Sequence, residues 1–345
     1  MSKLTRVRLT NFTAFASFDH ELSPGVTVII GANGTGKTHL LKLLYASCAI
    51  TTGEDQDLTY VQKLLGVFNP HEGRIGRLAR RAPGTVNVSV SIERQGGTKI
   101  SANFENRISK NQKAEQTTGR KKWGAQPLAS AYIPVKEMLA HAPGFLSTVS
   151  RRELSFEDVY SDILKLAYLP ILKGAPDLKR KGLLDPLQRA IQGKVVVDGE
   201  HFFLRNKQGN LEFTLLAEGM RKLALIWLLI QNGTLGAGSV LFWDEPEANL
   251  NPSLMGQLVD VILELQRQGV QVVLATHNHV LLKEFDLRKK NGDNVQYLSL
   301  YRGDSGAVEN HVSDSFAGIN PNLIEDTFND LYDREISRSL RLDRK

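Results

Sequence analysis

Gly31-Ala32-Asn33-Gly34-Thr35-Gly36-Lys37-Thr38 decides how this sequence is read. Its spacing is G-x-x-x-x-G-K-[ST]. The apolar run Val26–Ile30 leads in, and the apolar-periodic run Leu40–Leu44 leads out. A strand entering such a turn and a helix leaving it is the setting a phosphate-binding loop needs. The glycines let backbone N–H groups curl around an anion, and the helix N-terminus adds its positive dipole end. Gly31, Asn33, Gly34, Thr35 and Gly36 are therefore candidate nucleotide contacts, with His39 next to them on the helix. Lys37 is expected to reach the β- and γ-phosphates, and the Thr38 hydroxyl to ligate Mg²⁺.

A second stretch supplies carboxylates. Val240-Leu241-Phe242-Trp243-Asp244-Glu245 is a buried-strand pattern that ends in two acids. A strand end of this kind can set both acids beside a nucleotide. Asp244 is the candidate Mg²⁺ holder, directly or through water. Glu245 is the candidate that orients or deprotonates the attacking water. The next apolar strand ends in Ala275-Thr276-His277. Ligands bind at strand carboxyl ends in such sheets, so His277 is a candidate γ-phosphate sensor. His279 reads as a loop or helix-face histidine.

The chain has 345 residues, 41% hydrophobic and 23% charged, which suits one large globular domain or two smaller ones. Leu223–Ile230 is the longest apolar run near a helix and is too short to span a bilayer. The first eight residues carry no apolar segment, so no secretion signal is expected there. Cys48 has no second cysteine to pair with; it reads as a small buried hydrophobe and suits a reducing cytoplasm. The net charge is +6, with basic residues gathered at Arg74–Arg81, Arg107–Lys122 and Arg180–Lys181. Such clusters suit nucleic acid or a membrane surface, and equally an ordinary solvated face.

Along the chain, Leu4–Phe12 with Phe15–Leu22 and Val86–Ile92 with Thr98–Phe104 read as hairpins. Glu105–Gln126 reads as an exposed, disorder-prone loop. Glu153–Ile191 reads as helix broken at Pro170, Pro176 and Pro186, and Val195–Leu204 with Leu211–Leu215 as a hairpin. Helices over Glu218–Gln231 and Ser253–Gln268 alternate with buried strands over Ser239–Trp243 and Val270–Ala275. That alternation implies a mostly parallel sheet covered on both faces. The tail from Ser315 is polar and partly helical in pattern.

Taken in order, Gly31–Thr38, Leu216-Ala217-Glu218-Gly219-Met220-Arg221-Lys222, Trp243-Asp244-Glu245-Pro246, Glu247–Pro252 and Thr276-His277-Asn278 resemble an ABC-type ATPase head. The likeness is to the RecF, SMC and OLD-like group more than to transporter subunits. Arg8–Phe12 is similar to the opening strand of that group, and Tyr132–Glu137 lies where such heads link nucleotide to a lateral lobe. The resemblance covers about residues 1–50 and 195–300. It implies an α/β P-loop NTPase with a mostly parallel core sheet, an antiparallel β subdomain and a helical insert. Its parts would be residues 1–50 and 195–312 for the ATPase head, 51–194 for a lateral lobe and 313–345 for a tail. It also implies two heads sandwiching two ATP molecules, each site using the phosphate loop of one copy and the signature helix of the other. Gly219 would then present backbone N–H groups in trans, Asn249 and Leu250 would communicate across the dimer, Glu245 would be the catalytic carboxylate and His277 the switch histidine. The signature departs from the usual pattern: Ala217 stands where Ser is common, and Glu218 where Gly is. The lost hydroxyl leaves the γ-phosphate to backbone amides and to Arg221 or Lys222, with Glu218 turned away or acting as a first-turn carboxylate.

The expectation for function is a dimerising, Mg²⁺-dependent, cytoplasmic ATPase. By resemblance it acts in bacterial anti-phage defence or DNA maintenance, controlling a separate effector such as a nuclease or binding DNA. OLD-like relatives often carry a nuclease module after the ATPase. Only 68 residues follow His277, so an added nuclease fold is not expected, and Asp304, Glu309 and Asp314 read as scattered surface acids. The alternatives are a transporter-type ATPase subunit, which a membrane partner would reveal, and a slow ATP-gated DNA clamp, which a persistent ATP-bound dimer would reveal.

Overall fold

The computed structural model describes residues 2–107, 116–152 and 154–342. The first elements are β1 (Leu4–Phe12), β2 (Phe15–Glu21), β3 (Val26–Gly31), α1 (Lys37–Ala49) and α2 (Tyr60–Phe68). β4 (Asn87–Arg94), β5 (Thr98–Glu105), β6 (Gln116–Thr118), α3 (Arg120–Gly124) and β7 (Ser130–Ile133) follow. α4 (Phe145–Arg152), α5 (Asp158–Ala167) and α6 (Leu178–Ile191) lead to β8 (Lys194–Asp198), β9 (His201–Asn206) and β10 (Gly209–Glu212). Next come α7 (Glu218–Gln231), β11 (Val240–Asp244), α8 (Met255–Arg267), β12 (Gln271–Thr276) and α9 (His279–Arg288). The last elements are β13 (Val295–Arg302), β14 (Val308–Ser313) and α10 (Leu323–Leu342).

The central sheet has the order β14-β13-β3-β12-β11-β7, and every neighbouring pair is parallel except β13 with β14. β3, β7, β11 and β12 are buried at nearly every position because both faces are covered. Residues of β11 alternate between two cores. Val240 and Phe242 join α1, α2 and the sheet β2-β1-β4-β5-β6, whereas Leu241 and Trp243 join α6, α7, α8 and α9. The antiparallel sheet is the hairpin pair anticipated from β1–β2 and β4–β5, joined through β1 and β4. Residues 51–194 thus supply strands to both larger sheets: β4 and β5 beside β1, and β7 beside β11.

Three local expectations change. Within the presumed loop 105–126, residues 108–115 lie outside the described residues, but Gln116–Thr118 pairs with β5 and Arg120–Gly124 is helical. Trp123 is fully buried, its indole N–H donates to the Ser47 carbonyl at 2.7 Å, and the Arg94 guanidinium lies 3.8 Å from the ring centre. Tertiary burial of one aromatic residue overrides the polar composition around it. Pro186 lies inside α6 without ending it, because Leu183, Leu184, Leu187 and Ile191 are buried along that helix and outweigh one missing backbone bond. Val195–Leu204 is two strands, not one, since Asp198 and His201 pair across a tight turn, giving the three-stranded sheet β10-β9-β8.

Replacing Trp123 by Ala removes the packed ring and both polar contacts. Urea unfolding should show a loss of about 3–5 kcal/mol; a loss below about 1 kcal/mol would mean that this segment does not anchor the lobe.

Candidate functional site

Parallel register levels the strand ends. Thr276 pairs with Ile30, Gly31 with Leu300, and Asp244 with Ala275. The phosphate loop, Asp244 and His277 therefore leave the same edge of the sheet. The loop itself demands glycine. Gly31 has φ +147°, and a Cβ there would strike the Leu300 carbonyl. Gly36 has φ +97°, and a Cβ would meet the Phe15 ring at 2.8 Å. Asn33 and Gly34 are exposed, whereas the buried Thr35 closes the turn by donating to the Ala32 carbonyl at 2.9 Å.

Lys37 opens α1 and folds back over the loop, its ammonium donating to the carbonyls of Gly31 at 2.7 Å and Ala32 at 3.1 Å. Burial lowers its pKa, and the charges of Glu245, Asp244 and Glu247 oppose that shift. Asp244 is buried at the end of β11, and burial raises its carboxyl above the usual range. Hydrogen bonds from Thr38 and from the Tyr132 hydroxyl, the latter at 3.2 Å, work the other way. A hydroxyl and a carboxylate side by side beneath a phosphate loop form the oxygen donor set that Mg²⁺ prefers.

Glu245 follows Asp244 in the left-handed region, at φ +47°. That conformation is costly for a residue with a side chain, so the flanking contacts must hold it. Its N–H donates to the Ala275 carbonyl at 2.9 Å, which ties it to β12. Its carboxylate faces the His277 Nδ1 at 3.2 Å. The two residues named from separate strand ends are thus neighbours. Both keep some exposure, 27% for Glu245 and 54% for His277, so water reaches the pair.

Ala217 caps α7 without a side-chain bond and is exposed. Gly219 is buried, since a Cβ would meet the Asn249 carbonyl at 2.6 Å and the Leu250 Cα at 2.8 Å. The start of α7 is therefore docked on the loop that follows Glu245. Asn249, at φ +61°, donates to the Glu218 carboxylate at 2.8 Å, so Glu218 is engaged within the chain. Arg221 is committed as well: it donates to the carbonyls of Phe213 and Leu216, each at 3.0 Å. It also faces the buried Glu137 at 2.6 Å, close enough for an ion pair though not aligned as a hydrogen bond. His39 turns to the Phe68 ring, 5.7 Å away, and burial lowers its pKa.

Three further residues take places that the sequence reading did not give them, Lys222 among them, which was expected at the γ-phosphate. Glu247 is 6% exposed; its Oε1 accepts from Thr276 at 2.6 Å and from the His277 N–H at 3.4 Å, while its Oε2 is buried without a partner. Burial raises its pKa. Lys222 is 1% exposed and donates to the Ala248 carbonyl at 3.0 Å, bracing the same loop from α7. Arg302, at the end of β13, donates to the Gly34 carbonyl at 3.1 Å. The motifs Glu247–Pro252 and Leu216–Lys222 contain the first two, but neither motif gave Glu247 a role or turned Lys222 inward to the Ala248 carbonyl. Arg302 lies 268 residues from its partner and has no local pattern.

Comparison with known proteins fits this geometry. Residues 6–130 match the family "AAA domain", and residues 149–283 match "AAA domain, putative AbiEii toxin, Type IV TA system". The chain is 33% identical over 89 residues to the DNA replication and repair protein RecF of Salinibacter ruber, covering 25% of this chain and 21% of that protein. It is 33% identical over 81 residues to the arginine transport ATP-binding protein ArtP of Haemophilus influenzae, covering 22% and 31%. These matches span less than a third of either relative. Among solved structures, an Smc head bound to the C-winged helix domain of ScpA superposes with a TM-score of 0.57 at 12% identity, covering 91% of this chain and 98% of that one. The Pyrococcus yayanosii Smc head with a coiled coil and joint gives 0.52 at 10% identity, covering 90% and 97%. At such identities the likeness is one of fold. None of the described helices is long and apolar enough to cross a membrane.

Glu247 gives a test by pH. Its folded-state pKa is raised, so its contribution to stability is greatest below the ordinary value of 4.5 and falls as pH climbs toward the folded value. Denaturant unfolding at stepped pH should show Glu247→Gln losing less stability than the parent as pH rises above 4.5. Parallel curves would assign that carboxylate no part in the pH dependence.

Proposed function

The chain carries a P-loop ATPase head of the RecF/SMC/ABC type, and from that premise we propose that two copies close head-to-head around ATP and use its hydrolysis to reopen. The observation that carries this reading is the meeting of Lys37, Asp244, Glu245 and His277 at one sheet edge. Asn33, Gly34 and Ala217 are exposed, as half-sites that face a second copy would be.

In this mechanism the loop N–H groups and Lys37 hold the β- and γ-phosphates of the substrate. Mg²⁺, for which Thr38 and Asp244 offer fitting oxygen ligands, would neutralise charge on those phosphates when bound. Glu245 orients a water and takes its proton as the water oxygen attacks the γ-phosphorus and ADP leaves. His277, beside Glu245, senses the γ-phosphate. The partner's signature helix presents the backbone N–H groups at Ala217, Glu218 and Gly219. With no hydroxyl at 217, that contact rests on amides alone. Arg221 and Asn249 act as positioning residues, holding the helix start against the lateral lobe and the loop after Glu245.

ATP in the composite site favours the closed pair, and its cleavage removes that preference. The output we propose is control of a separate effector such as a nuclease, or of DNA, in bacterial anti-phage defence or DNA maintenance, inside the cytoplasm. Two facts support an output through a partner: the solved Smc head carries a ScpA domain, and the chain has a net charge of +6.

Phosphate release and light scattering, measured with and without ATP, test the proposal. Lys37→Ala should abolish ATP-dependent pairing, and Glu245→Gln should prolong it while lowering turnover about 10²–10⁴-fold. Single copies indifferent to ATP, with turnover unchanged in both variants, would overturn it.

A further inference from the structure

β13 delivers one more side chain to the phosphate loop. The strand runs parallel to β3 with Leu300 opposite Gly31, so Arg302 lies two residues further on, beside the course of the loop. There its guanidinium spans two backbone carbonyls. Nη2 donates to Gly34 at 3.1 Å, and Nη1 donates to Gly306 at 3.0 Å. Gly306 belongs to the turn that joins β13 to β14. That turn is closed by its own bonds: the Gly306 N–H donates to the Gly303 carbonyl at 2.8 Å, and the Gly303 N–H to the Ala307 carbonyl at 3.0 Å. Arg302 is thus braced at one end and grips the loop at the other.

The grip matters because of what a phosphate loop does with its backbone. Its N–H groups must face the anion, so its carbonyls must face away. Across a trans peptide the two point in opposite directions. A Gly34 carbonyl drawn to Arg302 therefore turns the Thr35 N–H the other way, where it makes only a long contact, 3.4 Å, with the Ala32 carbonyl. The Lys37 ammonium reaches that same carbonyl at 3.1 Å, so the lysine and the Thr35 N–H converge.

Little else restrains this tip of the loop. Gly34 is exposed, at φ +78°. Among the described residues, the one atom beyond its chain neighbours within 4 Å of an added Cβ is Arg302 Nη2, at 3.9 Å. Glycine loses more conformational freedom on ordering than any other residue, so a tether here has much to hold. The charge of Arg302 is also unspent in these two bonds, since both acceptors are neutral carbonyls.

We propose that Arg302 is a positioning residue for the polyphosphate: it fixes the Gly34–Thr35 peptide with its N–H turned to the anion and adds positive charge beside the loop. This rests on the ATP-binding reading above and extends it to a strand outside the phosphate motif. Arg302 acts through the loop and not on the reacting atoms, so it contributes to binding more than to cleavage. A lysine in its place keeps the charge, but a single flexible point donor does not hold two carbonyls in fixed geometry.

Calorimetric titration of the full chain with ATP and with tripolyphosphate tests this, next to steady-state kinetics. Arg302→Ala should weaken both ligands by the same factor, about tenfold. It should raise KM for ATP about tenfold with kcat within about twofold of the parent. Its melting profile should match the parent, because the side chain is exposed. Arg302→Lys should bind with an affinity between the two, and it carries the comparison if Arg302→Ala melts early. Lys37→Ala separates this test from the ATPase reading: a parent that binds ATP no better than Lys37→Ala overturns that reading and this proposal with it. A parent that binds ATP well, with Arg302→Ala binding it equally, overturns this proposal alone. A loss confined to kcat, or one seen for ATP and not for tripolyphosphate, overturns it too.

Discussion

Parallel pairing of β3 with β12 and β13, and of β12 with β11, is the constraint on which the site depends. It brings the phosphate loop to a common edge with two segments that lie more than 200 residues further along the chain. A slip of one residue would invert every side chain on a strand and exchange the two cores. Val240 and Phe242 could then no longer pack on the α1 side while Leu241 and Trp243 pack on the α7 side. Register is therefore specified by burial on both faces, and the position of Asp244 beside the phosphate loop follows from it.

The edge so formed concentrates charge where water is scarce. Lys37, Lys222, Asp244 and Glu247 are all buried, and burial shifts each toward its neutral form. Such an arrangement is expensive unless its charges are matched. Lys37 and Lys222 spend their donors on backbone carbonyls, and Glu247 leaves one oxygen unpaired. Backbone strain collects at the same place, with Glu245 and Asn249 both left-handed. Electrostatics poised for a polyanion and its cation, held in a strained loop, suits the nucleotide-driven switch proposed above.

Residues 51–194 are wired into this edge by side chains. Tyr132 of β7 donates to Asp244, and Glu137 just beyond β7 holds Arg221 of α7. A movement of β7 and the segment after it would therefore bear on Asp244 and on the start of α7 together.

Local pattern by itself determined a great deal here: the phosphate turn, the carboxylates at the end of β11, the histidine after β12 and the long helix after the signature. Each is encoded within ten or so consecutive residues, where strand period, glycine placement and helix start are short-range effects. Only the tertiary structure decided that Glu247 is buried under Thr276, that Lys222 braces the loop and that Arg302 holds Gly34. It alone turned Arg221 inward to Glu137, seated Trp123 beneath Arg94 and kept α6 whole through Pro186. The physical reason is common to all of them. Burial and pairing of a polar or bulky side chain depend on partners tens to hundreds of residues away, and no window along one chain contains both halves of such a contact.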